Sequence, residues 1–469
     1  MSLAFASIAE AGRQLRAGET TIPRLTRMML ERIDRLNPVL NCYITVLHEQ
    51  AMARAQALQA LLESGTDLGP LHGIPVAVKD NMATAGIRTT VGSRLRADWV
   101  PTQDATVVAR LHAAGSVLLG KLNLYEFAFG GVHEDHGETR NPWNPARACG
   151  ASSSGSGCAV AAGLAYAATG SDTGGSIRLP AAACGVVGLK PTYGVVSRAG
   201  VVPGSYSLDH VGPLARSAED AALVLAALAG FDAADPASSA RGIATVASRG
   251  LQGLRLGVPR RQESELIAPD MAQAIEQAIA TMERAGAVRV AIDLPDHLLS
   301  RTLMWVIAAS EMAEQHRATL RSRPQDYSPV VRDLVRQGEF IPATEYVHAL
   351  RVRQTIIAQT KAAMQAVDVV VMPTVPMPAW PVDTHTVEIA GVQEALMPAL
   401  TRYCPPANIT GQPAVAVPTG FDAQGLPLSM QFVGTWHDDR ALLGVAALYA
   451  QAASMPARHP ALARFAEDP

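Results

Sequence analysis

Gly170-Ser-Asp-Thr-Gly-Gly-Ser-Ile-Arg178 places Ser176 directly after two glycines and just ahead of a predicted helix over 177–184. Glycines let the backbone turn tightly and approach a ligand closely. Amide N–H groups at a helix N-terminus favour negative charge. The segment therefore predicts a site at the amides of 173–176 for the oxyanion that forms when Ser176 attacks a carbonyl. An isolated G-G-S is more often an ordinary loop with a serine N-cap.

A second glycine–serine loop, Gly150-Ala-Ser-Ser-Ser-Gly-Ser-Gly157, carries Ser152 24 residues upstream of Ser176. A short helix around 158–163 and a strand are predicted between the two loops. A helix that leads out and a strand that returns bring the two loops together. Alone, the second loop is typical of a flexible linker or a cluster of N-caps.

A nucleophilic serine needs a base, and Lys79 is the best candidate because neither G-x-S-x-G nor a convincing Ser, His and Asp order is present. Only four of the 39 basic residues are lysines, and arginine cannot lose its proton. The preceding apolar run 74–78 predicts a buried strand, and burial favours the neutral amine. The alternative is a strand-end lysine in an ion pair with Asp80 or another carboxylate.

Composition excludes several classes of protein. The chain has 469 residues, 48% hydrophobic and 17% charged, which indicates a globular protein. A formal net charge of -3 provides no basic stripe for nucleic acid, and no apolar run approaches the ~18 residues of a membrane span. Five cysteines without C-x-x-C spacing predict reduced thiols rather than disulfides or zinc, so we expect a cytoplasmic protein.

Alternating strands and helices predict an α/β class and one domain over 1–469. We expect a peripheral helical cover at 1–65, a catalytic core at 66–258, a helical insertion at 259–366 and a C-terminal part of the core at 367–469. The insertion is assigned because its residues have helical spacing and few glycines.

Lys79, the loop that holds Ser152 and the segment ending at Arg178 together resemble the amidase signature family. The resemblance continues through 183–194, 207–216 and 408–418, and so covers nearly the whole chain. It implies a mixed central β-sheet sandwiched by helices.

The resemblance also implies roles for individual residues. Ser176 is the expected nucleophile, Ser152 the bridging serine that follows a cis peptide bond, and Lys79 the base. Ala151 and Ser154 stand where the family commonly has glycine. The remaining expectations are oxyanion amides at Thr173, Gly174 and Gly175, support from Ser153, Asp172 and Arg178, and substrate contacts at Tyr125 and Phe129.

The implied activity is hydrolysis of an amide-type bond of a small molecule through an acyl-enzyme, with release of ammonia or an amine. No cofactor or metal is expected, since His133-Glu-Asp-His136 is one residue short of the H-E-x-x-H spacing. The alternatives are the glutaminase component of a tRNA-dependent amidotransferase, a carbamate or biuret-type hydrolase, and a non-enzymatic binding protein. Segments 323–327 and 338–346 look more like stand-alone amidases, including the 1-carboxybiuret hydrolase branch. A homodimer stays an open possibility.

Overall fold

Runs rich in valine and alanine form the strands, because β-branched side chains pack well on a pleated surface. The computed structural model describes residues 3–243, 250–260, 266–455 and 458–462. The strands in these ranges are β1 (Tyr43–Val46), β2 (Pro75–Lys79), β3 (Val117–Leu122), β4 (Arg140–Asn141), β5 (Asn144–Ala148), β6 (Ala167–Asp172), β7 (Val187–Lys190), β8 (His210–Ala215), β9 (Arg255–Pro259), β10 (Val288–Ile292), β11 (Val369–Pro373), β12 (Thr386–Ile389), β13 (Val392–Ala395), β14 (Ala414–Phe421) and β15 (Pro427–Val433).

Side-chain caps begin several helices. Thr21 accepts a hydrogen bond from the amide of Arg24, and Ser328 accepts one from the amide of Val331. The α-helices are α1 (Ile8–Arg16), α2 (Ile22–Leu40), α3 (His48–Glu63), α4 (Thr106–Ala113), α5 (Ser154–Ala161), α6 (Arg178–Cys184), α7 (Ala218–Leu228), α8 (Pro269–Arg284), α9 (His297–Ser322), α10 (Pro329–Glu339), α11 (Ala343–Ala363), α12 (Leu396–Leu400), α13 (Pro405–Thr410) and α14 (Asp439–Ala453). Within the described ranges, none of them has both the length and the apolar character that a membrane crossing requires.

Eleven strands form one mixed sheet in the order β1-β3-β2-β6-β8-β7-β14-β15-β11-β9-β10. Strand β2 runs parallel to both β3 and β6, whereas β6 and β8 are antiparallel. The predicted α/β class with a mixed central sheet is therefore confirmed.

The pairing of β2 with β6 positions the site. Because parallel neighbours end at the same edge of a sheet, the last residue of β2, Lys79, lies near the last residues of β6, Ser171 and Asp172. The loop that follows β6 carries Ser176. Two segments separated by about ninety residues of chain thus meet at one edge.

The segment 259–366 contains helices α8 to α11 and also strand β10, which pairs with β9 at the sheet edge. Helix α9 belongs to a second hydrophobic cluster, in which Met304 and Ile307 pack with Phe127 and Phe129. This segment therefore contacts the core close to the glycine–serine loops. The proposed division of the chain at 65, 258 and 366 stays a prediction.

Candidate active site

Lys79 is fully buried at the end of β2, and its partners are hydroxyl groups. Its Nζ donates to Ser152 Oγ at 2.8 Å and to Ser171 Oγ at 2.9 Å. The neighbouring Asp80 forms its ion pair with Lys121, at 3.2 Å between Oδ1 and Nζ. Successive side chains of a strand point to opposite faces, so Lys79 and Asp80 separate. The alternative ion pair between Lys79 and Asp80 is therefore not formed.

The surroundings of Lys79 shift its proton affinity. Burial lowers the pKa of Lys79 from 10.5 to about 7, against the opposing charges of Asp209 and Asp172. Hydroxyl partners are compatible with both states of the amine, because a hydroxyl accepts from an ammonium and donates to a neutral amine. Near neutral pH, Lys79 is thus able to accept and release a proton.

The loop that holds Ser152 is tied to the nucleophile loop by backbone contacts. The Ala151–Ser152 peptide bond is cis, as the family resemblance implies. The amide of Ser153 donates to Ser176 O at 3.3 Å, and Ser153 Oγ donates to Ser171 O at 3.2 Å. Ser153 therefore holds together the loops that carry Ser152 and Ser176.

The turn before Ser176 requires glycine. Gly175 has a φ of 129°, and a Cβ at this position would lie 2.8 Å from Cys404 Cβ. The amide of Gly175 donates to Asp172 Oδ1 at 2.7 Å. Gly175 can therefore contribute to an oxyanion site only by sharing this donor, whereas the expectation for Thr173 and Gly174 carries no such condition.

Asp172 and Arg178 form a fully buried ion pair beneath this turn, with Arg178 Nε 3.0 Å from Asp172 Oδ2. Burial alone raises the pKa of Asp172, but the charge and hydrogen bonds of Arg178 outweigh burial and hold that pKa well below its usual value. Asn408 donates to Asp172 Oδ1 at 2.8 Å, and Arg178 donates to Gln431 Oε1 at 2.8 Å. The pair thus anchors the turn to β15 and α13.

A small cavity of about 30 Å³ lies against both Ser152 and Ser176. Ser176 is partly exposed to it, while Ser152 is 1% exposed. The lining residues are Tyr125, Ala128, Phe129, Gly130, Ala151, Ser152, Thr173, Gly174, Ser176, Leu179, Met304, Trp305, Met397 and Thr401. The lining includes Tyr125 and Phe129, whose contact with substrate stays a prediction. None of these lining residues is charged.

A wider cleft of about 1220 Å³ approaches from another side and is lined by Ser171 and Asp209. Asp209 accepts a hydrogen bond from Thr173 Oγ1 at 2.5 Å. Since Ser171 is a partner of Lys79, this cleft ends beside the amine, whereas the small cavity borders the two serines. Ser152 and Ser176 are not among the residues that line the wider cleft.

Three residues at the site were not predicted from the sequence. Ser171 lies within the quoted segment, but its contact with Lys79 depends on the pairing of β2 with β6. Asp209 lies in the quoted 207–216 segment and acts on Lys79 through its charge. Met304 comes from α9, about 130 residues from Ser176, and no motif marks it.

Comparisons with known proteins agree with this geometry. The Amidase family matches residues 24–443. The corresponding component of the glutamyl-tRNA(Gln) amidotransferase of Nitrosococcus oceani is 38% identical over 97% of this chain and 99% of its own. A chain from an inhibitor-bound protein complex, described in connection with the evolutionary origins of an s-triazine catabolic enzyme, has a TM-score of 0.91 and 34% identity over 96% of this chain and 99% of its own. The peptide amidase of Stenotrophomonas maltophilia has a TM-score of 0.83 and 32% identity over 98% and 99% of the two chains.

Proposed function

The chain belongs to the amidase signature family of hydrolases that act on carbon–nitrogen bonds, and from this premise we propose that it is a stand-alone amidase of small molecules. Ser176 is the nucleophile, Ser152 the proton bridge and Lys79 the base. The observation that carries the proposal is the 2.8 Å contact between Lys79 Nζ and Ser152 Oγ, made by a fully buried lysine without an ion-pair contact to its neighbour Asp80.

The reaction begins with neutral Lys79. It accepts a proton from Ser152 while Ser152 takes the proton of Ser176, whose oxygen attacks the amide carbon. The negative charge on the former carbonyl oxygen is stabilised by amides of the turn at 173–176. Ser152 then passes a proton to the departing nitrogen, and ammonia or an amine leaves. Water, activated through the same relay, hydrolyses the acyl-enzyme and restores Ser176.

Residues around the triad have positioning roles in this proposal. Ser153 holds the two serine loops together, and the Asp172–Arg178 pair fixes the turn that presents the oxyanion amides. Ser171 accepts from Lys79 Nζ and thereby aims the amine at Ser152. No step requires a metal or an organic cofactor.

The alternative is the glutaminase component of an amidotransferase, which the 38% identity to the Nitrosococcus oceani protein favours. Glutamine is a zwitterion, and burying its charges without counter-charges costs several kcal/mol. The cavity at Ser176 is lined by uncharged side chains, which supports an uncharged substrate instead. A carbamate or biuret-type substrate also satisfies this condition, and the likeness to the s-triazine-related chain keeps that class in the test.

The test is a substrate panel of aliphatic amides, aryl amides, carbamates, biuret and glutamine, scored for release of ammonia or amine. We expect turnover of uncharged substrates, little turnover of glutamine, and no turnover by Ser176→Ala. Added hydroxylamine should yield a hydroxamate, because it intercepts an acyl-enzyme. Equal activity of wild type and Ser176→Ala would remove Ser176 from its role, and preference for glutamine would favour the amidotransferase component.

A further inference from the structure

The cavity beside Ser176 is small for a ligand site. Its volume is about 30 Å³, and a water molecule needs ~10–15 Å³ by this measure. The space therefore accommodates a group of about two heavy atoms next to the nucleophile. Whatever side chain closes the cavity determines which acyl groups reach Ser176.

Met304 is the side chain that closes it against the oxyanion turn. It is 1% exposed, and a Cβ on Gly174 would lie 3.2 Å from both Sδ and Cε of Met304. The thioether therefore rests directly on the turn whose amides face the reacting carbonyl. Its helix is held in place because Leu303 and Ile307, on either side of Met304, are buried in the second hydrophobic cluster.

The other large side chains of the cavity are held by neighbours. The ring of Phe129 packs edge-on against Trp305, with centroids 5.1 Å apart. The backbone of Tyr125 donates to Ser152 O at 3.1 Å. Methionine, in contrast, is unbranched and adapts its shape readily, so truncating it changes the cavity without loosening the serine loops.

We propose that Met304 sets the upper size limit of the acyl group, so that the enzyme prefers amides of short, uncharged, aliphatic acids. This inference rests on the proposed function, since it concerns the acyl side of the same site. Adding a methylene that a pocket cannot hold changes kcat/KM by about 10-fold or more. A helix outside the family's serine and lysine motifs would thus decide the substrate range.

The test measures kcat/KM for a series of straight-chain amides from acetamide through propionamide and butyramide to hexanamide. For wild type we expect a decrease of at least about 10-fold between propionamide and hexanamide. Met304→Ala removes the γ-carbon, the sulfur and the ε-methyl group, and should raise the ratio of hexanamide to propionamide activity by about 10-fold or more. Met304→Val, which removes less, should shift the ratio in the same direction if the alanine variant folds poorly.

Met312→Ala is the matched control. Met312 is fully buried on the same helix and in the same cluster, but it does not line the cavity. It should lose comparable stability and keep the wild-type ratio. An unchanged ratio in the Met304 variants, an equal shift in Met312→Ala, or a wild-type preference for hexanamide would overturn the inference. Absence of hydrolysis across this series and the wider panel would instead overturn the proposed function.

Discussion

Lys79 and Lys121 lie on neighbouring parallel strands, and both are fully buried, yet their surroundings differ in one decisive respect. Lys79 Nζ donates to two hydroxyls, whereas Lys121 Nζ lies 3.2 Å from Asp80 Oδ1 and donates to Met82 O and Thr89 Oγ1. Burial lowers the pKa of both lysines, and the charge of Asp80 opposes this effect at Lys121.

The difference shows that burial alone does not make a lysine a base. A carboxylate and a carbonyl accept hydrogen bonds but donate none, so they stabilise the ammonium form of Lys121. The hydroxyls around Lys79 serve either protonation state. We therefore infer that Lys79 moves protons, whereas Lys121 is a structural cation that holds Asp80.

The largest expected effect is on catalysis at Lys79. Lys79→Ala should lower kcat/KM by at least about 10⁴-fold, as expected when a member of a catalytic unit is removed, with the fold retained. Lys79→Arg should be equally inactive, since arginine keeps the charge but cannot release its proton. Activity with a preferred amide and thermal unfolding of each variant are the measurements. A fully active Lys79→Ala would exclude lysine as the base.

At Lys121, the large effect should be on stability. Lys121→Met leaves Asp80 as a buried carboxylate without its ion-pair partner, which costs about 3–5 kcal/mol in the free energy of unfolding. The double variant Lys121→Met with Asp80→Asn should recover part of this loss, because the amide removes the unpaired charge. Urea unfolding measures the stability, and amide hydrolysis by the folded fraction measures the chemistry. A Lys121→Met protein of normal stability that was as inactive as Lys79→Ala would contradict the distinction.

The smallest effect should appear in the pH profile. Because the pKa of Lys79 is lowered to about 7, the amine is protonated below that pH and cannot act as a base. The acylation rate should therefore rise with pH, reach half its maximum near pH 7, and decrease by about 10-fold per unit on the acid side. Single-turnover rates between pH 5 and about 9 would show this limb.

Ser171→Ala sharpens the same measurement. It removes one acceptor of the Lys79 ammonium, so the acid limb should move to lower pH. Thr89→Val is the control, because it removes the corresponding hydroxyl from Lys121 and should leave the limb in place. A limb that moved equally in both variants would assign it to a general effect on the fold instead of to Lys79.

Much of the fold and the candidate site was predictable from local sequence. The α/β class with a mixed sheet is confirmed, and the scarcity of lysine singled out Lys79, which is fully buried. The separation of Lys79 from Asp80 also follows from the alternation of side chains along a strand. Strand β10 within the segment 259–366 was not predicted, because a short, half-exposed edge strand resembles the helical surface around it.

The sequence by itself determined the chemical groups available here: two serines in glycine-rich loops, one lysine after an apolar strand, and the family to which the chain belongs. Only the tertiary structure decided which groups meet. The pairing of β2 with β6 selects Ser171 as a partner of Lys79, and the packing of α9 brings Met304 over Gly174. Local patterns specify the direction of a side chain within its own element, whereas the contacts between elements depend on strand order and helix packing across the whole chain.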